Sequence, residues 1–568
     1  MFNSERGLIR KKLVELISVA KGETPAGLLL ANGRVINVFS GEIERANVAI
    51  HGDRIAGVGD YQRAKKVIDL DGRYVAPGLI NGHIHPESSL LGIGQYARAI
   101  VPRGTTTLIT DLHEIANVCG LQGIKYVLKC VRRLPFDLFL MAPSCVPATG
   151  HETSGASLTV EEIRRLLRWK ECLGLGEVMD FPGVLRGDAT LLNKINLAKG
   201  KIVDGHAPGV MGKDLSAYIA AGIHSDHESV SLDEAREKLG QGMVIMIREG
   251  SSEKNLEALL PLVTDKTYSR CLFVVDDRTC ADLLEDGDID AVVRKAIRLG
   301  LDPVRAIQLA TINPAQCFRL DGLGGIAPGY RANLIVLSDL LQVQIDMVYY
   351  QGDLVASDGR PLFPLPHVSG GLTNTINFKT FTREALKLYA SGETMTVIEV
   401  VPGQIITHKR QEKITALNGI TQPDTSRDIL KLVVVERHKA TGNIGLGLVS
   451  GFGLKRGALA SSIAHDSHNI IAVGASDEDI FIAIKEIERL QGGLVVAAQG
   501  KVLASLALPI AGLLSDQPLE VVVSKLEELG KIAADLGSRL ITPFATLFFL
   551  ALPVIPEIRL TDRGLVEL

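Results

Sequence analysis

The chain has 568 residues, too many for one domain at roughly 150 residues each, although a barrel enzyme can use about 250 in one. Charged residues are 22% and apolar residues 46%, so large cores can be buried and global disorder is excluded. The net charge of −4, with no basic block, excludes nucleic acid as the main partner.

Residues 1–24 read as a charged, amphipathic helix without a signal core. Short β-runs follow at 27–31, 34–37, 48–51, 54–58 and 66–69, punctuated by Asn32-Gly33, Gly52-Asp53 and Asp71-Gly72. This is a small all-β unit. From Tyr74 to Phe318 the pattern is strand then helix, eight times. The apolar runs are 74–81, 106–110, 138–142, 172–178, 201–204, 219–225, 243–248 and 271–275. Eight such units predict an α/β chain built on a (β/α)8 TIM-like barrel. After the barrel, 322–337 and 347–355 return to β-runs and are expected to rejoin the first β unit. Pro361–Leu372 reads as a linker, and about 376–568 as a separate α+β domain. The run Leu540–Pro556, broken by Pro543 and Pro553, is expected to be a buried strand and not a membrane span. The seven cysteines, odd in number and without C-x-x-C spacing, read as free thiols of a soluble cytoplasmic protein with no membrane partner.

Barrel enzymes place their chemistry at the C-terminal ends of strands. Run one ends in His83-Ile84-His85, whose two imidazoles point to the same face. Run four ends at Glu177, run five precedes His206, His224 to Glu228 follow run six, and run eight precedes Asp276-Asp277. A lone His-x-His is more often a hydrogen-bonded pair, but ligand types at four further strand ends point to metal. Imidazole and carboxylate without thiolate suit Zn, Mn or Fe(II). A carboxylate between two ions can bridge them, and the ions acidify a shared water. Glu177 alone would fit a buried ion pair; Asp276 and Asp277 would also fit helix caps. His224 reads as a decoy beside His227. Arg248 and Glu249 are expected to pair with each other or serve function. Asp111 and Glu114 have the alternatives of a loop cap and an exposed charge. The cluster His465-Asp466-Ser467-His468-Asn469 is either a polar turn or a second site over the barrel mouth. Gly322–Ala327 formally matches G-x-G-x-x-A but precedes a Pro-Gly turn, so it predicts no dinucleotide site. His85-Pro86-Glu87 lacks the P-C-x-x-C of zinc cytidine-type deaminases, which excludes that fold.

Ala76-Pro77-Gly78-Leu79-Ile80-Asn81-Gly82-His83-Ile84-His85 resembles the opening signature of the amidohydrolase superfamily. The β-runs from Leu28 to Asp60 and from Gly329 to Leu337 resemble the two halves of its flanking β-sandwich, with Asn333 where Asp is usual. Glu177 stands where hydantoinases and dihydroorotases carry a carbamylated Lys. That glutamate, with Asp111–Val118, Asp204–Pro208 and Ile247–Ser251, resembles the bacterial adenine deaminase family. Leu112 replaces a frequent Pro. The resemblance implies four segments: helix and half-sandwich over 1–73, barrel over 74–318, second half-sandwich and linker over 319–372, and a C-terminal α+β domain over 373–568. It implies two divalent ions, Mn(II) first with Fe(II) or Zn(II) as alternatives, held by His83, His85, Glu177, His206, His227 and Asp276. It implies hydrolysis of adenine to hypoxanthine and ammonia in purine salvage, by a metal-bridged hydroxide adding at C6. Asp276, Glu177, Glu114 and His227 would act catalytically, and Asp111, His113 and Asp277 would bind adenine. The alternative is another amidohydrolase acting on a cyclic amide or a different aminopurine. A homo-oligomer, with a dimer favoured, is expected for an enzyme of this size.

Overall fold

The computed structural model describes residues 2–365 and 372–567, so 366–371 of the expected linker lie outside the described residues. The helix Phe2–Ala20 leads into a nine-stranded sheet. Its long strand Ala26–Asn37 pairs antiparallel with Glu42–His51, which pairs with Arg54–Gly59. Asn32-Gly33, expected as a turn, is a bulge inside that one strand: Asn32 has φ 57°, and the register shifts between Leu30 and Gly33. On the other edge Tyr74–Pro77 runs parallel to the long strand and pairs antiparallel with Leu334–Asp339, from beyond the barrel. The segments before and after the barrel therefore share one sheet. Leu30, Val48, Ile55, Val75, Leu334 and Val336 fill its core, as alternating apolar positions on one face require.

Tyr74–Pro77 thus corrects the first expected barrel strand, which is only Leu79–Asn81. The chain crosses from sheet to barrel at Gly78, where a Cβ would come within 2.3 Å of Thr106 Oγ1. The other barrel strands are Thr105–Thr110, Asp137–Pro143, Cys172–Val178, Ile202–Gly205, Ser225–Asp226, Val244–Arg248 and Cys271–Val274. The first five of the eight form one parallel sheet and the last three another. His224 N donates to Val203 O between the two sheets. At the mouth Asp276-Asp277 pairs parallel with Ile84-His85 and closes the ring. Strands buried on both faces explain the near-continuous apolar runs. Ile80, Ile109, Met141, Ile202, Met246 and Leu272 pack together, with Phe318 and Leu320 against them. The sixth run is corrected: Ile219 and Ala220 end the helix Gly212–Ala220, and Gly222 at φ 102° turns the chain towards the two-residue strand.

The C-terminal segment forms an eight-stranded sheet, with the helix Asp477–Leu490 packed on it through Ile480, Ile484 and Ile487. The expected strand over 540–556 is instead the helix Pro543–Phe549. Pro543 sits in its first turn, where the missing N–H costs nothing, and Pro553 lies beyond its end. This unit docks on the barrel: Thr153 N donates to Asp562, Asn469 Nδ2 to Thr153 O, and Leu91 bridges Ser515. No helix among the described residues is long and apolar enough to cross a membrane.

Candidate metal centre

His83 and His85 flank Ile84 at the end of the first barrel strand, and their Nε2 atoms face each other at 3.2 Å. Glu177 Oε1 lies 3.1 Å from His83 Nε2 and 2.9 Å from His85 Nε2. Asp276 Oδ1 lies 3.3 and 3.0 Å from the same two atoms. Donors bonded at about 2.0–2.2 Å to one ion stand about 3.0–3.5 Å apart, so these four atoms match one coordination sphere. Glu177 Oε2 turns the other way, 3.2 Å from His206 Nδ1 and 3.9 Å from His227 Nε2; those two nitrogens are 3.3 Å apart. The carboxylate of Glu177 is thus shared between two donor groups. Glu177 and Asp276 both hold positive φ, 28° and 66°, at the strand ends that aim them inward.

The environment fits cations. Glu177 Oε1, Asp204 Oδ2 and His227 Nδ1 are buried without a hydrogen-bond partner among the described residues, although buried polar atoms are normally paired. Burial opposes the charge of Glu177, but the imidazoles of His85, His206 and His83 hold it well below the usual carboxylate range. Burial likewise opposes Asp276, and Arg248 with His83 and His85 outweighs it. Burial opposes protonation of His83 and His85, yet the surrounding carboxylates push both well above the ordinary imidazole value. His206 rises to about 9, against burial, through Glu228 and Glu177. His227 falls, by burial and by His83, which stacks on it at 4.2 Å between centroids. Imidazole nitrogens gathered around shared carboxylates are the donors a divalent ion takes, with release of any protons they hold.

Carboxylates behind the rings orient them. Asp204 Oδ2 is 3.5 Å from His83 Nδ1 and accepts from Ser225 through its other oxygen. Asp111, fully buried, lies 3.2 Å from His85 Nδ1 and 3.0 Å from His113 Nδ1. Asp226 accepts from Ala207 N, beside His206, and is held by the buried Lys238. His224 is exposed, as befits a decoy.

Asp277 is pinned by Ser252 N at 3.0 Å and Arg248 Nη2 at 3.3 Å, at the mouth and not in the donor groups. The expected Arg248–Glu249 pair is corrected. Arg248 binds Asp276 Oδ2 at 2.7 Å together with Glu228 and Asp277, while Glu249 turns to Lys295. Arg248 is the last residue of its strand and turns to the mouth, while Glu249, just beyond it, turns to the helix that carries Lys295. Glu114 is buried and meets His465 and His468 of the C-terminal unit. Asp204, Asp226, Lys238 and Glu228, whose Oε1 is 3.5 Å from His227 Nε2, were missed by sequence reasoning as supporting residues. Asp204, Asp226 and Glu228 stand within two residues of assigned histidines, a signal that could have found them.

The profile described as the adenine deaminase C-terminal domain matches residues 404–568, and that of the amidohydrolase family matches residues 74–355. The chain is 61% identical over 560 residues to an adenine deaminase of Dehalococcoides mccartyi, covering 98% of each chain. It is 49% identical over 559 residues to an adenine deaminase 2 of Carboxydothermus hydrogenoformans, again covering 98% of each. Among solved structures, a β-aspartyl dipeptidase from Fervidobacterium islandicum aligns with 60% of this chain and 99% of its own, at 18% identity and a TM-score of 0.45.

Proposed function

Because this chain belongs to the adenine deaminase family of the amidohydrolases, we propose that its barrel site hydrolyses adenine to hypoxanthine and ammonia. The observation that carries the site assignment is the division of Glu177 between two buried donor groups. His83, His85, Asp276 and Glu177 Oε1 would hold one ion, and His206, His227 and Glu177 Oε2 the other. Two divalent ions, Mn(II) by preference, supply an acidified water and compensate developing charge when bound.

The protein's own groups then move the protons. Asp276, kept ionised by Arg248 on its outer oxygen, accepts the proton of the attacking water and delivers it to the departing amino group. Such proton transfer contributes about 10²–10⁴-fold. Glu177, or Glu114 beyond His113, passes a proton to ring N1, whose protonation lets water add at C6. His227 takes part as a ligand. His113 and Asp277 face the substrate. Asp111, buried between His85 and His113, reaches it through His113.

We read the nine-stranded sheet as a β-sandwich built from residues 2–77 and 319–365, the barrel as 78–318, and 372–567 as an α+β domain. The Tyr74–Pro77 pairing supports moving the first boundary to Gly78. The seven free thiols support a reducing, cytoplasmic setting.

Glu177→Ala tests the site. The expected result is loss of both ions from the purified protein and of adenine turnover. A variant that keeps two ions and wild-type turnover rejects the bridging role.

A further inference from the structure

Five carboxylates at the barrel mouth are already engaged. Asp111 lies between His85 and His113, Asp276 and Glu228 meet Arg248, and Asp277 accepts from Ser252 N. Glu114 meets His465 at 2.8 Å through one oxygen and His468 through the other. Asp466, of the C-terminal unit, differs. It is only 5% exposed, and its carboxylate takes no hydrogen bond from another described residue. Glu152, a further buried carboxyl near it, makes no hydrogen bond to it either.

The turn that carries Asp466 is fixed on both sides. His465 stacks on Phe549 at 4.7 Å between centroids, and its backbone N–H donates to Phe548 O. Ser467 O accepts from His438 Nε2 at 2.7 Å, and the His468 carbonyl accepts from the buried Arg437. Asn469 Nδ2 ties the turn to Thr153 O at 2.9 Å. The rings before and after Asp466 rest on Glu114, so the turn sits at the barrel mouth. Asp466 accordingly feels the charges of His113, Glu114 and Glu177. Cys145, buried just beyond the third barrel strand, feels His113, Asp111, Glu177 and Asp466 together. A residue of the C-terminal unit thus borders the space in front of the metal centre.

A buried carboxylate without a donor is costly, and a ligand that supplies one offsets that cost. Burial pushes Asp466 up to about 6, with His113 and His465 opposing, so it is ionised at neutral pH and can only accept. Adenine has two kinds of donor, its amino group and the N–H of its five-membered ring. The amino group leaves as ammonia on the side of Asp276. The ring N–H is the donor that remains.

We infer that Asp466, supplied by the C-terminal unit, binds the substrate by accepting the N–H of the purine's five-membered ring. This rests on the reading of the barrel as an adenine-hydrolysing site.

The test uses the full-length, Mn(II)-loaded enzyme as wild type, Asp466→Ala and Asp466→Asn. Metal content, kcat and KM for adenine are measured, with dissociation constants for purine and 9-methylpurine. Purine keeps the ring N–H without a leaving group, and 9-methylpurine lacks that N–H. Asp466→Ala is expected to raise KM for adenine and the purine dissociation constant about 10- to 100-fold, the scale of a hydrogen bond to a charged group. Both ions should stay bound and kcat should change little, as for a contact made equally before and during the reaction. Asp466→Asn keeps an acceptor oxygen and should fall between. Wild type should bind purine about 10-fold or more tighter than 9-methylpurine, and Asp466→Ala should close that gap. If 9-methylpurine binds neither protein, the order of purine affinity, wild type then Asn then Ala, decides. Unchanged constants in Asp466→Ala, the same purine to 9-methylpurine ratio in both proteins, a fall confined to kcat, or loss of metal would overturn the contact. No adenine turnover by wild type that holds both ions rejects the activity, and purine binding then still decides the contact.

Discussion

Replacing Lys238 with Met should unseat the second imidazole pair without touching it. The Lys238 ammonium is fully buried and donates to Ala207 O at 2.7 Å, Asp226 Oδ2 at 2.8 Å and Glu234 Oε1 at 2.7 Å. Asp226 in turn accepts from Ala207 N at 2.9 Å, so it fixes the backbone next to His206 and adjoins His227 in sequence. Removing one partner of a buried ion pair costs about 3–5 kcal/mol. Loss of support behind metal ligands weakens metal affinity about 10- to 100-fold. Burial tends to raise the Asp226 pKa, but Lys238 holds the group below the ordinary value. The stabilisation is therefore complete above the unfolded carboxyl value of about 3.9 and is lost as pH falls through the lower folded value. Lys238→Met should accordingly be less stable than wild type at neutral pH, with the gap narrowing only below about pH 4. Stepwise Mn(II) titration of stripped protein, paired with denaturant unfolding at pH 7 and below 4, measures both effects. One tight site kept and one weakened is the expected result. Two sites of wild-type affinity and an unchanged unfolding midpoint would refute the reasoning.

Asp276→Asn should lower kcat by about 10²–10⁴-fold while metal analysis still finds bound ions; retained activity would remove Asp276 as the proton carrier. Asp204→Asn weakens the hold on His83 and should loosen the first ion by about 10- to 100-fold, read by titration with a metal buffer, with KM for adenine unchanged at saturating Mn(II). Wild-type affinity in that variant would mean that Asp204 does not orient the ring.

The donor set was legible because strand ends in a barrel converge. His83, His85, Glu177, His206, His227 and Asp276 each follow an apolar run, and the structure gathers all six. Burial on both faces makes those runs continuous, so their existence was readable although their ends were not. Tyr74–Pro77 and Leu79–Asn81 read as one run only because Pro77-Gly78, the break at which the chain changes sheet, sits between two apolar segments and was passed over. The sixth strand is two residues long, too short to carry a period of its own. The pairing of Arg248 with Glu249, one of the two alternatives, did not form because Asp276 and Lys295, distant in sequence, supply their partners. Lys238 was out of reach for another reason: it lies on the helix Leu232–Gly240 and meets Asp226 only after that helix packs back on the barrel. The Glu114–His468 contact spans 354 positions, and no local pattern encodes it. The polar cluster at 465–469 was visible, but its target was not.

The most direct test of the central claim is ammonia release from adenine by protein stripped of metal and reconstituted with two equivalents of Mn(II), with adenosine run in parallel. The account predicts no release from the stripped protein and rapid release from adenine after reconstitution; the adenosine arm reads whether the free base is required. No release from adenine by protein that holds both ions would contradict it and turn the search to cyclic amides and other amino-heterocycles.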